Sequence, residues 1–182
     1  MCRSKPFRFS ARAGLVGVLL ALAVGCSQSP VGPATDAPVL LTRLSRAGGA
    51  LSAAEVNLYV EQLVPTQSGG RLELLDVTLD IPPGAVANDT VFSIFIPDDE
   101  LFYNEFGTSG LVFDVPVSVT MSYRNADLTG ITETSIRIAW YNADIAWEPV
   151  DGTIDLVNKT VTAQLSHFSA YGLISDARPG GQ

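Results

Sequence analysis

"FDVPVSVTMSY" runs from Phe113 to Tyr123 and decides the fold class. Phe113, Val115, Val117, Val119, Met121 and Tyr123 fall on one side of an extended chain. Asp114, Pro116, Ser118, Thr120 and Ser122 fall on the other. Strict alternation over this length marks a β-strand with one buried and one wet face, because successive side chains of a strand point to opposite sides. Pro116 cannot donate to a ladder, so it predicts an edge position or a bulge.

The same pattern extends in both directions. Upstream, "RLELLDVTLDI" (Arg71–Ile81) places Leu72 and Leu74 on one side, then Val77, Leu79 and Ile81 after a one-residue slip at Leu75–Asp76, which predicts a bulge or bend. Pro82, Pro83 and Gly84 end that run in a turn. "TVFSIFIP" is the next strand. Downstream, "SIRIAWYN" turns Ile136, Ile138 and Trp140 inward. "AWEPV" and "TIDLV" follow, parted by a turn at Asp151–Gly152, and Asn158–Lys159 turns the chain into "TVTAQLSHF". "SAYGLI" closes the series. "SAAEVNLYVEQL" carries two patterns. Ser52 with Glu55 resembles a capping box, while Val56, Leu58, Val60, Gln62 and Val64 alternate. The β-rich chain downstream favours the strand, and the segment Val56–Val64 is left open between the two. Short alternating strands with closely spaced turns predict an all-β fold, an antiparallel β-sandwich of about eight to ten strands.

The N-terminal end has a different character. Arg3, Lys5, Arg8 and Arg12 precede the apolar run "AGLVGVLLALAVGC", the arrangement of a secretory signal peptide. Ala23, Val24 and Gly25 before Cys26 resemble the lipobox of bacterial lipoproteins. The resemblance implies acylation of Cys26, with palmitate-type chains, and cleavage before it; two or more chains give stable membrane anchoring. Ser27 after the cysteine implies the outer membrane. Residues 1–25 are therefore expected to be a signal peptide and residues 26–54 a lipidated, Pro- and Gly-containing tether with some local order. Residues 55–175 are expected to form the domain and 176–182 a polar tail.

With Cys2 removed and Cys26 lipidated, the mature chain has no thiol for a disulfide or a metal site. Loss of the four basic leader residues takes the net charge from −8 to −12. Such a chain repels nucleic acid.

Three parts of the domain, in order, resemble the ZU-five domains of zona occludens proteins, netrin receptors and ankyrins, which also occur in bacterial envelope proteins. They are "GGRLELLDVTLDIPPGAV" (Gly69–Val86), "LVFDVPVSVTMSY" (Leu111–Tyr123) and "WEPV" with "VTAQLSHFSAYGL" (Trp147–Leu173). The resemblance covers Gly69 to Ile174. No death domain or ankyrin repeat accompanies it, so the signalling roles of the animal proteins do not carry over.

Self-processing ZU-five proteins are cut between phenylalanine and serine of a His-Phe-Ser motif. The resemblance therefore implies His167, Phe168 and Ser169 as a candidate autoproteolytic set, with Ser169 Oγ attacking the Phe168 carbonyl and His167 taking the hydroxyl proton. The competing reading makes the segment a closing strand with Phe168 as a core anchor, and it is the one expected here. Asp98, Asp99, Glu100 and Glu105 form an acidic stretch that is a weak calcium candidate, because it lacks regular calcium-loop spacing. Trp140 and Trp147 would form a sugar-stacking platform if exposed, although Trp140 alternates with core positions. Asn88 and Asn158 lie in acceptor-like tripeptides and are read as turn residues. One histidine, no free thiol and no phosphate-cradling glycine loop leave no conventional enzyme and no cofactor. The expected function is that of an envelope-anchored structural or protein-interaction module meeting an envelope protein or a cell-wall component, with a carbohydrate-binding module as an alternative.

Overall fold

The computed structural model describes residues 38–44 and 58–176. The expectations for the signal peptide, Cys26, Val56 and the tail 177–182 lie outside these residues. All described residues belong to one unit, Thr35–Gln182.

The fold is an all-β sandwich of two packed antiparallel sheets. The described residues form twelve strands: β1 (Val39–Leu40), β2 (Leu58–Val64), β3 (Gly70–Leu74), β4 (Val77–Ile81), β5 (Thr90–Ile96), β6 (Tyr103–Gly107), β7 (Val112–Ser122), β8 (Arg137–Asn142), β9 (Ala146–Pro149), β10 (Gly152–Asp155), β11 (Thr160–His167) and β12 (Ala170–Ser175). The larger sheet has the order β2-β5-β6-β12-β8-β9, with β1 also on β12. The smaller has the order β10-β11-β7-β4-β3. The chain passes between the sheets repeatedly.

The alternation read from the sequence is the burial pattern. Leu79, Val117, Val119, Met121, Val161, Ala163 and Leu165 from the smaller sheet meet Phe92, Ile94, Phe106, Ile138, Tyr171 and Leu173 from the larger. Each is at most 2 % exposed. Interdigitation of two inner faces in this way removes apolar surface from water and is the main stabilising term of a sandwich.

Local readings change at the Leu75–Asp76 slip, at Val115 and in the tether, while the bulge at Pro116 and the strand over Leu58–Val64 agree with the expectation. The slip at Leu75–Asp76 is a hairpin turn, because Leu74 pairs with Val77 and β3 is antiparallel to β4. Leu75 supports the two-residue turn at φ 52°. Pro116 lies in a central strand of the smaller sheet, at the irregularity: Leu165 pairs with Val117 and His167 with Val112. Phe113, Asp114, Val115 and Pro116 therefore face the single Ser166, and the bulge turns Val115 out to solvent. Leu58–Val64 is a strand paired along its length with β5.

The last change concerns the expected tether. Val39 and Leu40 pair with Ser175 and Ile174, and Thr42 and Arg43 bridge to Leu101 and Ala126. Leu41 is 1 % exposed. Pro38–Leu44 is thus part of the sandwich. It was read as tether because a two-residue strand is too short to show a period.

Candidate functional site

Phe168 and Ser169 connect β11 of the smaller sheet to β12 of the larger one, so the His-Phe-Ser segment is a sheet-to-sheet crossover. Phe168 is 1 % exposed. Its ring meets Phe113 at 4.8 Å, Phe92 at 5.4 Å and Phe106 at 5.6 Å between centroids. These tilted and edge-to-face contacts make it the hub of an aromatic cluster closing one end of the core. The Phe168 N–H donates to the Leu111 carbonyl at 2.8 Å, and the Gly110 N–H donates to the Phe168 carbonyl at 3.0 Å. Gly110 has φ +77°, a region that favours glycine, and this conformation aims its N–H at that carbonyl. The Phe106 N–H holds the Ser169 carbonyl at 3.1 Å.

His167 is oriented elsewhere. Its ring packs edge-on to Trp140 at 5.2 Å and lies 3.5 Å, Nδ1 to Oη, from Tyr171. Tyr171 donates its hydroxyl proton to the His167 carbonyl at 2.8 Å, and burial pushes the Tyr171 phenol up, which keeps it a donor. No hydrogen bond joins the His167 ring to the Ser169 hydroxyl among the described residues. The structure brings the three residues together in space, supplies a donor to the Phe168 carbonyl, and leaves the base turned toward aromatic partners.

The acidic candidates do not converge. Asp98, Asp99 and Glu100 lie in the loop before β6, whereas Glu105 is inside β6 and accepts from the Tyr103 hydroxyl. The Asp98 side chain accepts from the Glu100 N–H at 2.8 Å. The carbonyls of Asp99 and Leu101 accept from Arg43, whose guanidinium sits 4.4 Å from the Phe102 ring centroid. The loop's backbone carbonyls are thus held by a guanidinium. Among the described residues no group of three or more His, Cys, Asp or Glu side chains has metal-binding geometry.

The outward face of the larger sheet departs from the expected wet surface. Tyr59, Phe95, Tyr103, Tyr141 and Trp147 all lie on it, out of phase with the buried positions of β2, β5, β6 and β8. Tyr59 and Tyr141 are 46 % and 45 % exposed. Tyr59 pairs with Phe95 across β2 and β5, and their rings meet at 6.4 Å. Leu63 and Val91, also a cross-strand pair, extend this apolar end. At the other end Trp147 meets Tyr141 at 5.5 Å and Tyr103 at 6.1 Å. Gly172 lies beneath: a Cβ there would stand 2.7 Å from the Phe102 carbonyl and 3.1 Å from Trp147. Carboxylates decorate the face. Tyr59 donates to Glu61 at 2.6 Å and Tyr103 to Glu105 at 3.1 Å. Burial, with Glu105 beside it, pushes the Tyr103 phenol up to about 12.

Trp147 is thus on the outer face as a platform requires, while Trp140 is half-buried against the core. Sequence reading missed Tyr59, Phe95 and Tyr103. The signal was available: in "TVFSIFI" Phe95 alternates with Val91 and Ser93, opposite Phe92, Ile94 and Ile96.

The chain matches no known protein family and no curated protein.

Proposed function

We propose that this chain is a lipid-anchored envelope protein whose sandwich is a non-catalytic binding domain of ZU-five-like character, and that its partner is another envelope protein. Cys26 would hold it in the outer membrane. The observation that carries the reading is the aromatic outward face of the larger sheet. Tyrosine and tryptophan supply large, rigid contact area with a polar tip, and they are enriched at protein interfaces for that reason. A sheet face that met only water would carry polar residues at these positions. The test is photocrosslinking in living cells. A benzophenone amino acid at position 141 should give a discrete crosslinked protein band, and the same group at Thr120 on the smaller sheet should not. Equal labelling from both positions, or none from position 141, removes the proposal.

A second reading rests on the Gly110 N–H donated to the Phe168 carbonyl, the position an oxyanion donor must occupy. In it, Ser169 Oγ attacks the Phe168 carbonyl carbon and the Phe168–Ser169 C–N bond breaks. The hydroxyl proton passes to the departing amine, and water hydrolyses the resulting ester to a Phe168 carboxylate and the free Ser169 hydroxyl. Two chains on an intact-mass spectrum, and one chain in Ser169→Ala, is the outcome this reading requires.

A further inference from the structure

The outward face of the smaller sheet carries a depression of about 680 Å³. Ser68, Gly70 and Arg71 line one side, Asp80 and Pro82 the next, Val115, Pro116 and Ser118 the third, and Gln164 the last. These residues come from four separated stretches of sequence that the sandwich brings to one place. The bulge in β7 makes the hollow, because it lifts Val115 and Pro116 out of the regular pleat beside Ser118. The glycines allow the other wall to close. A Cβ on Gly69 would stand 2.1 Å from the Ile81 carbonyl oxygen, and Gly69 has φ +66°.

We infer that this depression binds a neutral saccharide, lying across the strands of the smaller sheet. Four features select that ligand. The floor strands β4, β7 and β11 spend their backbone groups on one another, so a ligand crossing them is held by side chains and not by a β-ladder. The side chains offered are mixed donors and acceptors at short range, the requirement for hydroxyl recognition. Neither the Ser118 hydroxyl nor the Gln164 amide has a protein partner among the described residues, and both are open to a ligand. The single cation is already matched: Arg71 Nε lies 2.7 Å from Glu73 and Nη1 lies 3.3 Å from Asp80. An anionic ligand therefore meets no free positive charge on a chain of net charge −8. Pro82, Val115 and Pro116 give apolar surface for the C–H faces of a sugar ring.

The face continues in the same chemistry. Thr78, Thr120, Thr162 and Thr153 stand opposite one another on four adjacent strands. This hydroxyl row, spaced about 4.7–4.9 Å from strand to strand, gives a longer glycan chain a track beyond the depression.

The inference rests on the binding-domain reading, and the two fail separately. The full-length protein is titrated with chitotriose, cellotriose and maltotriose while backbone amide shifts are followed by NMR. At least one of these neutral trisaccharides should shift amides at positions 68–71, 80–82, 115–118 and 164. Gln164→Ala should weaken that binding about fivefold, the effect of one lost hydrogen bond, and Gln164→Ala with Ser118→Val should abolish it. Both variants should keep the parent melting temperature, since both positions are on the surface. Tyr141→Ser, on the opposite sheet, should bind the sugar as the parent does. No shift at millimolar concentration of all three sugars, shifts confined to the aromatic face, or binding indifferent to the double change would each overturn the inference. Crosslinking from position 141 would be untouched by that outcome.

Discussion

Arg43 and Asp76 form a two-pronged ion pair, Nε to Oδ2 and Nη2 to Oδ1 both at 3.0 Å, with side chains only 10 % and 9 % exposed. Arg43 belongs to the N-terminal segment and Asp76 to the β3–β4 hairpin turn, 33 residues apart. The same guanidinium holds the carbonyls of Asp99 and Leu101 and covers Phe102. One side chain therefore fastens three surface segments to the core.

Removing one member of such a pair leaves the other charge nearly buried and unpaired. Arg43→Met should destabilise the protein by about 3–5 kcal/mol, read from urea unfolding. Adding Asp76→Leu to Arg43→Met should recover much of the loss, because no orphan charge remains. A double variant as unstable as the single one would show that packing, and not charge, makes the contact.

Phe168 and Ser169 are neighbours with opposite expected costs. Phe168→Ala empties the centre of a four-phenylalanine cluster and should cost about 3–5 kcal/mol. Ser169→Ala removes a partly exposed hydroxyl with no hydrogen-bond partner among the described residues and should change stability by no more than about 0.5 kcal/mol. On the binding-domain reading both proteins, and the parent, give one intact mass. The His-Phe-Ser tripeptide would then be explained by its phenylalanine.

Acid should weaken the domain through two carboxylates. The Lys159 ammonium, 2.5 Å away, holds Glu133 below its ordinary 4.5, and hydrogen bonds from Asn158 hold Asp155 below its ordinary 3.8. A depressed folded value means that the stabilisation is complete above the ordinary value and is lost as pH falls through the folded one. Glu133→Gln and Asp155→Asn should therefore lower the melting temperature at neutral pH. The gap to the parent should close as pH falls below about 4. A gap that is constant with pH would assign the effect to shape and not to charge.

At the N-terminus, Cys26→Ser should abolish incorporation of labelled palmitate and leave the leader uncut, as judged by mass. Normal labelling of that variant would place the acyl chain elsewhere.

The legible part of the sequence was the part governed by one period. Val117, Val119 and Met121 alternate without interruption, and their burial follows directly. The reading failed where a local rule competed with the period. The β3–β4 hairpin passed for a bulge because Leu75 takes a positive φ without the glycine or asparagine that usually announces such a turn. Val115 looked buried because the bulge that expels it is set by pairing with β11, a contact between distant segments. Leu41 and Arg43 looked like tether because their partners, Leu173 and Asp76, lie far along the chain. His167 and Ser169 are near one another by sequence alone, and the direction of the imidazole depends on Trp140 and Tyr171, which no motif records.

The outward aromatic face bears the functional reading, and sedimentation tests it most directly. The protein produced without residues 1–26, free of both leader and lipid, is mixed with isolated outer envelopes and spun. Saturable retention is predicted, lost when the envelopes are first treated with protease and lost in the Tyr59→Ser, Tyr141→Ser double variant at unchanged melting temperature. Retention that survives both treatments, or a protein that never sediments with envelopes, would contradict it.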